Sequence, residues 1–215
     1  GESEFTVISP SITWRPSESV EVYYRFDKTD QEQDANTLLN VAQSDQVFCF
    51  YYGQCSQGLQ TPQAGSRYTV LQNDDPPYQT YFDTKTHILD ISWELNDQYS
   101  LEFVYGGFET EEAVYQDWDA TPLTLYHTDR PAEWEQDSFE LRLNYSGDQL
   151  KYTAGLYYWD SEYSIDLTSY IGFGAAIGFW PAELDPFFIA LDQTVAQETE
   201  STAFFLEADY EVSDS

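Results

Sequence analysis

Positive charge is scarce. The 215-residue chain has 8 Lys and Arg against 39 Asp and Glu, a formal net charge of −31. Phosphate binding needs cations, so nucleic acid is excluded as a partner. Methionine is absent, and the histidines are only two, His87 and His127. Neither sits in a Ser-His-Asp order or an HExxH motif, so hydrolase chemistry has no support and the chain reads as a non-enzyme. No apolar run reaches about 18 residues, which excludes a transmembrane helix but not membrane-crossing strands, which need only alternation over about ten residues. No signal-peptide pattern stands at Gly1, so the chain reads as a mature or internal segment. Of two cysteines, Cys49 and Cys55, a local disulfide is expected in preference to free thiols, implying an oxidising compartment; without nearby histidine they make no zinc site.

What is abundant is aromatic: 18 Tyr, 14 Phe and 6 Trp, 18% of the chain. Such residues favour strands, and they oppose the disorder that high charge and low hydropathy would otherwise imply. The clearest segment is 138–159. Phe139, Leu141, Leu143 and Tyr145 alternate with Glu140, Arg142 and Asn144. After the turn residues Ser146-Gly147-Asp148-Gln149, Leu150, Tyr152, Ala154, Leu156 and Tyr158 alternate with Lys151, Thr153, Gly155 and Tyr157. Strand side chains point to opposite faces in turn, so this is a two-faced hairpin. The same period places further strands at 4–15, 20–28, 86–95, 99–109 and 200–211, with the hairpin strands at 135–145 and 150–161. Pro10 cannot donate to a ladder, so its position must be unpaired or bulged.

Short turns then alternate with long connections at 29–84, 110–134 and 162–198. Trp14, Trp93, Tyr99 and Tyr145 fall near the short turns, Phe26 and Tyr158 towards the long connections. Charged residues such as Glu21, Arg25, Glu102, Glu140 and Arg142 share the other face. Loop asymmetry and two aromatic girdles predict an all-β fold: a single segment, 1–215, of about seven antiparallel up-and-down strands of an outer-membrane-type β-barrel. A soluble sandwich would show the same alternation.

Candidate sites are few. Asp27, Asp30, Glu32 and Asp34 cluster at the start of the first connection. Oxygen ligands at that density can hold calcium, with Asp27, Asp30 and Asp34 the weak candidates, although the spacing is not that of an EF-hand and a solvated loop explains it better. Asp117 and Asp119 flank Trp118, where a cation or a hydrogen-bonded turn would fit. Tyr51, Tyr52, Tyr115, Trp118, Tyr126 and Trp134 lie in the long connections and could stack on a sugar or flat ligand; loop packing accounts for them equally well. Gly172-Phe173-Gly174 lacks the strand-to-helix context of a nucleotide loop, and the apolar run Ile171–Pro181 is expected to pack on another loop or a partner.

Several runs together resemble TonB-dependent outer-membrane receptors: SPSITWRP at 9–16, YQDWDATP at 115–122, EQDSFELRLN at 135–144, YTAGLYY at 152–158 with Trp159, and TESTAFFLEADYEVS at 199–213. The resemblance implies a barrel of about 22 strands with a plug and a TonB box, importing siderophores, cobalamin, carbohydrate or another scarce nutrient. Here no plug and no TonB box are found, and the strands are about seven, so the chain looks like an internal piece of the wall. Its implied partners are outer-membrane lipid and the remaining strands and plug of the same receptor. A different reading follows from the strand count, which leaves two edges: copies pair through them into an extracellular filament or tube with no transport role. A soluble carbohydrate-binding sandwich is a third reading. No cofactor is implied beyond the calcium candidates.

Overall fold

The computed structural model describes residues 3–34, 79–118, 126–172 and 190–212. They form β1 (Ser3–Ile8), β2 (Ser11–Ser17), β3 (Val20–Asp34), β4 (Gln79–Glu94), β5 (Tyr99–Asp117), β6 (Tyr126–Ser146), β7 (Leu150–Ile171) and β8 (Ala190–Tyr210). All pairings are antiparallel, in the order β1-β3-β4-β5-β6-β7-β8, with β2 also on β3.

Two expectations are corrected here. The sheet is open and has eight strands; it is not a barrel of about seven. The extra strand comes from Pro10. Ile8 pairs with Lys28 and Ser11 with Arg25, so the register runs unbroken from β1 into β2 across Ser9-Pro10. The Phe26 N–H still donates to the Pro10 carbonyl at 3.0 Å, but proline has no N–H to return, and the ladder is interrupted there. β1 and β2 are therefore one row, and the sheet has seven rows. In an up-and-down sheet an odd number of rows leaves the first and last running the same way, so no antiparallel ladder can join them.

The turns are set by local chemistry. Asn96 Oδ1 accepts the N–H groups of Gln98 at 2.9 Å and Tyr99 at 3.1 Å, an Asx turn that returns β4 into β5. The Gly147 N–H donates to the Leu150 carbonyl at 2.9 Å in the β6–β7 turn. On the other side the strands run much further than the alternation predicts: β7 has 22 residues, about 70 Å of extended chain.

The sheet has no second layer among the described residues. Among the described residues the only buried hydrophobic side chain is Ala132, at 7% exposure. Cohesion is instead cross-strand, between side chains facing each other along each ladder. Phe139, for example, has Phe103, Tyr105 and Tyr158 around it at centroid distances of 6.4, 5.0 and 6.2 Å.

A candidate membrane-facing surface and the strands above it

The register places one apolar set in rows across the whole sheet. Ile91, Phe103, Leu141, Leu156 and Phe204 form one row; Trp93, Leu101, Leu143, Ala154 and Leu206 form the next. On β7 the apolar set spans the nine residues from Leu150 to Tyr158, the length of strand that crosses a hydrocarbon layer when tilted. Nothing among the described residues covers it: Leu141 is 39% and Leu156 43% exposed.

Both borders of this belt are aromatic. At the short-turn side Tyr145 lies between Tyr99 and Tyr152, with centroids 4.8 and 5.1 Å away. At the far side tyrosine hydroxyls reach to polar groups on neighbouring strands. Tyr24 Oη meets His87 Nδ1 at 2.8 Å, Tyr105 donates to Asp137 at 2.7 Å, and Tyr158 to Glu200 at 3.5 Å. An aromatic ring with a hydroxyl suits a boundary, apolar on one side and wet on the other.

Past that border the two faces exchange character. The belt face becomes acidic, with rows such as Glu109, Glu135, Glu162 and Glu198 in register. Its only cations among the described residues are Lys28 and Lys85. Lys28 Nζ pairs with Asp30 at 3.1 Å and Asp83 at 3.3 Å; Lys85 pairs with Glu109 at 3.2 Å. Hydrogen bonding to Asp30, then to Asp83, raises the Lys28 pKa, and Glu109 raises that of Lys85. Burial pushes the Asp83 carboxyl up, but hydrogen bonds from the Lys28 ammonium and the Tyr81 hydroxyl outweigh it and the net shift is downward.

The opposite face changes in the reverse sense. Level with the belt it is charged and paired: Arg142 Nε holds Glu140 at 2.7 Å, Arg15 Nε holds Glu21 at 2.6 Å, and Arg25 holds Asp27 at 2.8 Å. Further along it carries Phe82, Phe108, Trp134, Tyr163, Ile165 and Leu167 on successive strands. Trp134 packs edge-on against Phe108 at 5.2 Å and donates its Nε1–H to Ser161 Oγ at 2.8 Å.

The expected site residues are only partly brought together. Trp118 and Tyr126 meet where the Trp118 N–H donates to the Tyr126 carbonyl at 3.0 Å, and the indole Nε1–H donates to Thr128 Oγ1 at 2.7 Å. Tyr115 projects to the other face of β5 by alternation. Trp134 lies six residues along β6 from Thr128, about 20 Å away. Tyr51, Tyr52, Cys49, Cys55 and Asp119 lie outside the described residues. Of the calcium candidates, Asp27 points to the opposite face of β3 from Asp30 and Asp34, and it takes hydrogen bonds from Ser9 Oγ and Arg25. Among the described residues no group of three His, Cys, Asp or Glu could hold a metal ion. Sequence reasoning missed the buried pair at the far end of β5 and β6, where His127 Nε2 lies 3.7 Å from Asp117 Oδ1. The connection between these strands separates the two in sequence, and only strand pairing joins them.

This geometry has solved counterparts. The ferric yersiniabactin uptake receptor FyuA of Yersinia pestis superposes on 100% of the chain with a TM-score of 0.54 at 11% identity. BauA, the ferric preacinetobactin receptor of Acinetobacter baumannii, superposes on 97% with a TM-score of 0.54 at 13% identity. The likeness is one of fold. The chain spans 36% and 31% of those receptors' lengths, about a third of each. No protein-family model matches the sequence, and no curated protein does.

Proposed function

We propose that this chain is a stretch of outer-membrane wall in a receptor that takes up a scarce nutrient, with its long connections extracellular. The role is non-enzymatic. The observation that carries the reading is the nine-residue apolar belt, bordered by aromatics and covered by no second layer among the described residues. A face of this kind is stable only against lipid or another protein. Ion pairs occupy the reverse face at the same level, as a wet interior requires. The two receptors of like fold are named for ferric ligands, so an iron–siderophore complex leads the substrate classes, with carbohydrate behind it. Tyr51, Tyr52, Tyr115, Trp118, Tyr126 and Trp134 are the proposed ligand contacts. Lipid covers the belt, and the remaining strands and plug of the receptor meet the edges and the reverse face.

The open edges support a second reading more directly than they support a complete receptor: copies joined edge to edge in an extracellular filament or tube, without transport. Solubility separates the two. A wall segment stays monodisperse only in detergent or lipid. A purified chain that is equally monodisperse in plain buffer would remove the membrane reading, and fibres under negative stain would install the second.

A further inference from the structure

We infer that the reverse face above the belt carries a binding site for an uncharged oligosaccharide, built around Trp134. The inference rests on the nutrient-uptake reading. It puts carbohydrate ahead of a ferric complex on the chemistry of this wall, since the likeness to receptors named for ferric ligands is one of fold. Charge is sorted between the two faces at this level. Three rows on β4 to β8 run from Thr84, Thr86 and Ile88 across to Gln197, Thr199 and Ser201. Not one of their fifteen residues is charged, in a chain that is 22% charged. The residues alternating with them on the belt face include the row of Glu109, Glu135, Glu162 and Glu198. Compensated charge bounds the neutral rows: Arg130 holds Glu112 at 2.6 Å beyond them, and Arg142 holds Glu140 at 2.7 Å towards the belt. On β3 the Thr86 row ends at Asp27, which pairs with Arg25 at 2.8 Å.

The same rows supply what a sugar takes. Seven of the fifteen residues are Ser or Thr, two are Gln and four are aromatic. The C–H face of a sugar ring stacks on an aromatic ring, and its hydroxyls need partners that both donate and accept, as amides and hydroxyls do. Trp134 is a ready platform. It is 39% exposed, yet its Nε1–H donates to the buried Ser161 Oγ at 2.8 Å and Phe108 meets it edge-on at 5.2 Å. A ring fixed in this way loses little freedom on binding. Tyr163 stands opposite it in register, and Gln136 lies two residues along β6, level with Phe108 and Ser161. Rows are about 7 Å apart and strands about 4.8 Å, so the patch measures roughly 14 by 19 Å, which suits several linked sugars rather than one. An anionic ferric complex would meet no cation in these rows. A protein partner fits less well: protein interfaces share the enrichment in aromatics but are depleted of serine, and three serines stand here.

The test is a glycan array, carrying uncharged oligosaccharides beside uronate- and sulfate-bearing ones, probed with the detergent-solubilised chain. An uncharged oligosaccharide should bind. Its sulfated counterpart should bind about tenfold more weakly, since no cation on the patch offsets the desolvation of a sulfate. Trp134→Ala should weaken binding about tenfold, the scale of one lost aromatic contact. Ser161→Ala keeps the indole but releases it, and should weaken binding by a smaller factor. Should Trp134→Ala unfold, Gln136→Leu keeps every ring and should weaken the same binding. No binding by any uncharged glycan, or binding unchanged in a folded Trp134→Ala variant, would overturn the inference. Trp134-dependent binding of a ferric–siderophore complex without any sugar would overturn it too, while leaving the uptake reading in place. Self-association that is lost in Trp134→Ala would make the patch a protein surface and equally end the inference. Sugar binding by a chain that is monodisperse in plain buffer would keep the site and remove the membrane reading instead.

Discussion

Phe205 lies across Gly155. A Cβ built on the glycine would stand 2.1 Å from the phenyl Cζ. The two are register partners on β8 and β7, and the ring takes the place of the side chain that glycine lacks, a pairing that stiffens a weak strand position.

Replacing Gly155 by leucine should therefore swing Phe205 out of place and cost about 1–3 kcal/mol, the usual range for overpacking. Denaturant midpoints in detergent measure it. The double variant with Phe205→Ala should recover part of the loss, and no recovery would mean that the ring is not what the leucine meets.

At mid-belt, Leu141→Arg should cost about 2–4 kcal/mol in lipid, the range for a cation at the bilayer midplane of a strand-built membrane protein. A cation beside it on the reverse face, at Asn144→Arg, should cost only about 1 kcal/mol, for the hydrogen bonds lost to Thr153 and Ser100, because that face already carries Arg142 with Glu140 and Glu102. Equal costs at the two positions in lipid vesicles would contradict the assignment of faces.

The Lys28 cluster sets a pH window. Asp83 has a lowered pKa, so its contribution is present above the unfolded value of 3.8 and lost as pH falls through the lower folded value. Lys28 has a raised pKa, so its contribution is present below 10.5 and lost as pH rises through the higher folded value. Lys28→Met should shift the Asp83 titration upwards, as followed by carboxyl NMR. An unmoved Asp83 titration would separate the two groups.

The acidic rows predict a salt response. Glu109, Glu135, Glu162 and Glu198 face one another directly, and like charges so placed repel. The unfolding midpoint should rise with sodium chloride and level off near ~1 M, where the screening length is about 3 Å. Glu135→Gln should reduce the slope. A midpoint independent of salt would show that the row is already neutralised.

The belt half of each strand was legible because one phase of alternation persists: Leu141 and Leu143 on the belt face, Glu140 and Arg142 on the reverse face. The other half was not, because the phase reverses. On β6 the apolar positions move from odd Phe139 to even Trp134 and Ala132; on β5 they move from odd Tyr105 to even Phe108 and Val114. Read as a single period, those stretches lose their pattern and pass for loops. The strand itself does not slip. The two faces exchange apolar and polar character partway along, and Phe82, Trp134 and Tyr163 were hidden for that reason.

The sequence by itself determined the strands of the belt, their polarity and the position of the short turns, because each depends on side chains two residues apart or on turn residues such as Asn96 and Gly147. Tertiary structure alone decided that Pro10 divides one row into two strands without shifting register, that Asp27 and Asp30 part to opposite faces, and that His127 meets Asp117. It also left the sheet open. Closure depends on which way the last row runs relative to the first, and seven rows put β8 and the β1–β2 row in the same direction.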